Sequence, residues 1–99
     1  MTIGQMSAES DMMMETMRRR AIERHFEDFQ IFAVKWAVKF FSDGVDDKAI
    51  QAGMGEHIMA IVELGEDYSY ILDRRNELYR MVKNDMSRAV AFLDSIEEE

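Results

Sequence analysis

Apolar residues recur along this 99-residue chain in two long stripes at three-to-four spacing, separated by one clear break. The densest stretch is residues 31–41, Ile-Phe-Ala-Val-Lys-Trp-Ala-Val-Lys-Phe-Phe. Positions 29, 32, 33, 36 and 40 form one apolar stripe there, positions 31, 34, 38 and 41 another, and Lys35 and Lys39 leave a polar seam. A helix apolar on more than one side must be covered by more than one element, so the remainder of the chain is expected to fold around this stretch.

Upstream the first stripe continues through Met14, Met17, Ala21, Ile22, Phe26 and Phe29 with nothing to break a helix. Ser7 suits an N-cap, and Glu9 and Asp11 suit the positive end of the helix dipole. These signals predict a helix over 7–42 preceded by a disordered terminus, 1–6. A turn at 43–45 ends it, with Gly44 available for a left-handed C-cap and Asp46 for the next N-cap.

The second stripe reads Ile50, Met54, Ile58, Ile61, Gly65, Tyr68, Leu72, Arg75, Tyr79, Val82, Met86, Val90, Leu93. Its period does not slip across Gly65, which predicts one helix over 46–96; a turn at Gly65-Glu66-Asp67 is the alternative. Folding the two helices back about Gly44 sets Trp36 opposite Gly53. The same pairing brings Arg18, Arg19, Arg20 and Arg24 to Glu63, Glu66 and Asp67, and Lys35 and Lys39 to Asp46, Asp47 and Glu56. It also brings Glu9, Asp11 and Glu15 to Arg74, Arg75, Arg80 and Lys83. Exposed pairs contribute only about 0–1 kcal/mol each, so they set register more than stability.

The expected fold is therefore all-α, a long antiparallel helical hairpin forming a single domain. Its core or dimer contacts are Phe29, Phe32, Trp36 and Phe40 against Ile58, Ile61, Tyr68 and Leu72. Residues 86–96, with Val90, Phe92, Leu93 and Ile96, overhang the first helix in this arrangement. Leaving them in water forgoes about 1.5–3 kcal/mol for each large side chain. A second copy is expected to cover them as a dimeric four-helix bundle; the fallback is a monomeric three-helix bundle broken at Gly65.

Composition sharpens this picture. Proline is absent and glycine occurs five times, which favours long helices, and 47% hydrophobic residues supply one core. Without cysteine there is no disulfide framework, thiolate metal site or cysteine nucleophile. The first fifteen residues lack the charged and apolar regions of a signal peptide, and residues 31–41 are about half of a membrane span. A soluble, cytoplasmic protein with no membrane partner is expected. The net charge of −8 arises wholly after Ser42, because six acids and six bases cancel before it and 14 acids oppose six bases beyond it. That balance argues against direct nucleic-acid binding, which relies on neutralised phosphates, and favours basic protein partners.

Candidate chemistry is sparse. Ten methionines include Met12, Met13, Met14 and Met17, unbranched polarizable side chains suited to an adaptable partner surface. Three consecutive methionines cannot all face one core. With Phe92, Leu93 and Ile96 they are the expected partner-binding residues. His25 and His57 lack the Glu-x-x-His neighbours of a carboxylate di-iron bundle, and Gly53-Met54-Gly55 lies inside a helical pattern and not after a strand. No metal, cofactor or catalysis is expected. Arg20 and His25, however, stand at Arg-x4-His spacing, and these six residues resemble the ribonuclease signature of the HEPN family, small all-α proteins that dimerise. The resemblance implies that Arg20 and His25 are catalytic, with the histidine acting on an RNA 2′-hydroxyl. A further alternative is an acidic nucleic-acid mimic inhibiting a DNA-binding protein, its phosphate-like face made by Asp43, Asp46, Asp47, Glu56, Glu63, Glu66, Asp67, Asp73 and Glu77. The leading expectation is a non-enzymatic protein–protein interaction module, an adaptor, inhibitor, antitoxin-like regulator or chaperone.

Overall fold

The computed structural model describes residues 3–97, with side chains from Asp11 onward. Four helices follow one another: α1 (Ile3–Asp43), α2 (Lys48–Glu63), α3 (Tyr68–Asn84) and α4 (Met86–Glu97), with no strand among the described residues. The all-α expectation holds. α1 is drawn from Ile3, upstream of Ser7, while residues 1–2 of the expected disordered terminus lie outside the described residues. Its 41 residues make it the mast of a molecule measuring 63 × 28 × 22 Å.

The first turn forms where the sequence marks it. Gly44 takes φ +69, its N–H returns to the Phe40 carbonyl at 2.9 Å, and this left-handed residue closes α1. The N-cap of α2 is Asp47, not Asp46: the Asp47 side chain accepts from the Ile50 N–H at 3.1 Å. Asp46 is occupied elsewhere, accepting the Trp36 indole N–H at 2.9 Å.

The single helix expected over 46–96 is broken twice. At Gly65, φ +110, the Gly65 N–H bonds the Val62 carbonyl at 2.9 Å and the Glu66 N–H bonds Ile61 at 3.2 Å. This is a Schellman closure, which needs a left-handed residue and finds one in glycine. Asp67 then caps α3 by accepting from the Ser69 N–H at 2.9 Å. At the second break one residue does both jobs. The Asp85 N–H ends α3 on the Met81 carbonyl at 3.0 Å, and its carboxylate receives the Arg88 N–H of α4 at 3.2 Å.

Packing follows from these breaks. α2 descends antiparallel to α1, with contacts at Lys39–Asp47, Phe32–Gly53, His25–His57 and Arg18–Leu64. α3 ascends parallel to α1, with Tyr70 against Phe26, Arg74 bonded to Gln30 and Tyr79 against Trp36. α4 turns back over α1 and α3 and buries Ala89 and part of Leu93. Phe29, Ala33 and Ala37 of α1 are fully buried in the core with Val34, Met54, Ile58, Ile61, Ile71, Leu78 and Val82. Small residues at 33 and 37 let neighbouring helices approach closely.

Four more expectations need correcting. Residues 86–96 do not overhang α1, because the turn at Asp85 folds them back along it, covering part of the second apolar face of residues 31–41 and leaving Phe41 exposed. Tyr68 is 51% exposed and not core, because the left-handed turn at Gly65 rotates the apolar face of the next helix onto Ile71, Leu78 and Val82. Phe40, at 42% exposure, lies at the rim and stacks on Trp36 with centroids 4.9 Å apart. Phe32 is half-buried against the core, and Leu72 is half-buried in the cleft between α2 and α3. Phe32, not Trp36, meets Gly53, since the bond to Asp46 draws the indole toward the turn.

Candidate interaction surfaces

Polar contacts hold the helices at fixed levels. At the turn, Trp36 to Asp46 and Lys39 to Asp47 (2.7 Å) clasp α1 to the start of α2. Hydrogen bonds from Lys48 and Trp36 hold the Asp46 carboxyl below its usual range, and Lys39 with the Ile50 N–H does the same for Asp47. At the other end Arg18 caps α2 from outside. Its Nη1 donates to the Leu64 carbonyl at 2.8 Å, while Nε and Nη2 donate to Glu15 at 3.0 and 2.6 Å. Glu15, bonded by Arg18 and then Arg19, has its carboxyl lowered from 4.5 to about 2. The expected approach of this arginine cluster to the 63–67 turn is thus realised by Arg18. Glu15 is paired locally and does not reach the basic residues of α3; Arg74 bonds Gln30 and Glu77 instead.

His25 and His57 face each other across α1 and α2 with Nδ1 atoms 3.0 Å apart. One imidazole donates and the other accepts, and Phe32 lies against the second ring with centroids 5.4 Å apart. Nothing in the linear spacing shows this pair, because it depends on the hairpin register. Arg20 does not join it. At about 100° per residue, Arg20 and His25 stand roughly 140° apart round the helix, and Arg20 is exposed while His25 is half-buried. The structure therefore does not bring the two residues of the ribonuclease-like spacing together. Among the described residues no group of three His, Asp or Glu side chains is placed to hold a metal ion, and no helix is long and apolar enough to cross a membrane.

Two apolar surfaces remain. The first is a groove of about 720 Å³ between α1, α3 and α4. Ile31, Val34, Leu78 and Val82 form its floor, Met81, Phe92 and Ile96 its walls, and Glu27, Arg74, Asp85 and Arg88 its rim. Met81 and Phe92 stand 50% and 44% exposed. The second is the N-terminal arm of α1. The last contact of α2 with this helix is at Arg18, and every residue from Asp11 to Met17 is exposed, Met12, Met13, Met14 and Met17 at 66–72%. The residues expected to form one partner surface therefore divide. The methionines lie on the arm, Phe92 and Ile96 in the groove, and Leu93 turns inward against the core. From Met17 to Glu27 alone is about 15 Å along the helix. A smaller cleft of about 420 Å³ between α2 and α3 is lined by Trp36, Met54, Ile58, Tyr68, Leu72 and Tyr79, where burial pushes the Tyr79 hydroxyl up.

Comparison with protein-family models, with curated proteins and with solved structures finds no match for this chain.

Proposed function

We propose that this protein is a small acidic, non-enzymatic interaction module of the cytoplasm that takes up an apolar helical segment of a partner protein in the groove between α1, α3 and α4. The observation that carries this reading is the groove itself, where Met81 and Phe92 stand half in water above an apolar floor. Each large apolar side chain left in water forgoes about 1.5–3 kcal/mol, which an amphipathic helix laid in the groove recovers. Polar groups at the rim do not converge on a point as they do around a small ligand; Arg74 is already held by Gln30 and Glu77. An adaptor, inhibitor, antitoxin-like regulator or chaperone works through such a surface, and the partner supplies the specific activity.

The test compares the tagged wild-type chain with Phe92→Asp in capture from its source cells, each complex weighed by native mass spectrometry. One protein at fixed ratio on the wild type, lost with Phe92→Asp while the helical signal is retained, is the expected result. Capture that is indifferent to Phe92→Asp sinks the groove as the binding surface.

A further inference from the structure

The cleft between α2 and α3 differs from the groove in carrying polar groups that meet at one place. Both helices pack mainly on α1 and touch each other little, so a space of about 420 Å³ stays open between them, within the range of small-molecule sites. Trp36 lies against Tyr79 there, ring centroids 5.0 Å apart, and Tyr68 and Leu72 continue the same wall at helical spacing. Two donors share that wall. Arg75 stands over the Tyr79 ring, 5.6 Å from its centroid, and is the only charged side chain lining the cleft. Among the described residues it makes no ion pair, and its guanidinium bonds only the neutral side chain of the adjacent Asn76, at 3.4 and 3.2 Å. The half-buried Tyr79 hydroxyl donates to the Met54 thioether sulfur at 3.6 Å, a weak acceptor. The carboxylate whose charge reaches Tyr79, that of Asp46, is already taken up by Lys48 and Trp36. A guanidinium and a phenol therefore stand side by side without a strong acceptor, beside an aromatic wall.

An aromatic wall suits a flat ring, and a cation next to a hydroxyl donor suits a carboxylate, whose oxygens accept charge-assisted hydrogen bonds. A cationic ligand is repelled by Arg75, and a neutral one forgoes the charge-assisted bond. We infer that this cleft binds a small planar aromatic carboxylate, its ring among Trp36, Tyr68 and Leu72 and its carboxylate accepting from the Arg75 guanidinium and the Tyr79 hydroxyl. The site lies apart from the groove between α1, α3 and α4 and does not depend on what the groove takes up.

The chain has one tryptophan, so the Trp36 indole N–H gives a single NMR resonance that reports on the cleft. The probes are 2-naphthoate and its uncharged analogue 2-naphthamide. 2-Naphthoate is expected to shift this resonance saturably, with a Kd on the order of 1 mM or tighter, and 2-naphthamide to bind about tenfold more weakly. Arg75→Gln is expected to remove the preference for the acid, and Tyr79→Phe to weaken the acid by roughly threefold or more. Gly55→Leu fills the cleft at a position where a Cβ meets nothing within 4 Å; it is expected to abolish binding while circular dichroism shows the helices retained. Phe92→Asp, in the groove, is expected to leave binding unchanged. The inference is overturned by the absence of a saturable shift, by equal affinity for acid and amide, or by a preference for the acid that persists in Arg75→Gln. Acid binding indifferent to Tyr79→Phe, surviving Gly55→Leu, or lost with Phe92→Asp overturns it equally, and the proposed function stands or falls separately on its own capture experiment.

Discussion

The two ends of α1 belong to one unbroken helix and share an apolar-rich composition, yet they meet opposite surroundings. From Phe29 to Ala37 the helix is enclosed by α2, α3 and α4, and three of its residues are wholly buried. From Asp11 to Met17 every side chain is in water. The difference lies in what the rest of the chain can reach: α2 ends at Glu63, level with Arg18, and the Schellman turn at Gly65 sends the chain back the way it came. Apolar content alone does not place a residue in a core; the length of the neighbouring helix decides it.

The comparison breaks most severely at the enclosed end. Phe29→Ala is expected to cost about 3–5 kcal/mol in global stability by urea unfolding, the usual range for emptying a fully buried phenylalanine site. Gly53→Ala tests the same enclosure by overfilling it, since a Cβ there would lie 2.7 Å from the Phe32 ring. A loss of about 1–3 kcal/mol is expected, and an unchanged midpoint would show that Phe32 swings away freely. Gly65→Ala strikes the turn that separates the two regimes. At φ +110 an alanine is strained, and its Cβ would lie 3.1 Å from Arg18 Nη1, for an expected loss of about 1–3 kcal/mol.

At the open end the signs reverse. Replacing Met12, Met13, Met14 and Met17 by Gln is expected to change urea stability of the bundle by no more than about 0.5 kcal/mol for each residue. A large stability loss there would mean that the arm belongs to the core after all. The smallest expected effect concerns pH. The Glu15 carboxyl is lowered to about 2 on folding, so its bonds to Arg18 and Arg19 contribute fully above 4.5 and are lost as pH falls from 4.5 through 2. Titration followed by circular dichroism should show a small helical loss in that window, reduced in Glu15→Gln, where only the lowered carboxyls of Asp46 and Asp47 still contribute.

Much of the enclosed end was legible in the sequence. Phe29, Ile58 and Ile61 follow from helical spacing, Gly44 from its place after an apolar run, and the need for cover on two sides of residues 31–41 from the run itself. Asp85 was not legible, because neither glycine nor proline marks the break and only the cap geometry reveals an aspartate serving two helices. Tyr68 was misplaced for a related reason. A stripe read straight through Gly65 assumes that helical phase is conserved, and a left-handed residue resets it. The groove and the His25–His57 pair depend on which helix returns beside which, a property of the tertiary register that no single stretch contains.

Asp85 carries one more consequence. It is the only non-helical residue between α3 and α4, and α4 contributes to the core only Ala89 and parts of Met86 and Leu93. Helices with few buried contacts open at low free energy, so α4 is expected to open before the α1–α2–α3 framework. Its amides should therefore exchange with deuterium well before those of α2 and α3.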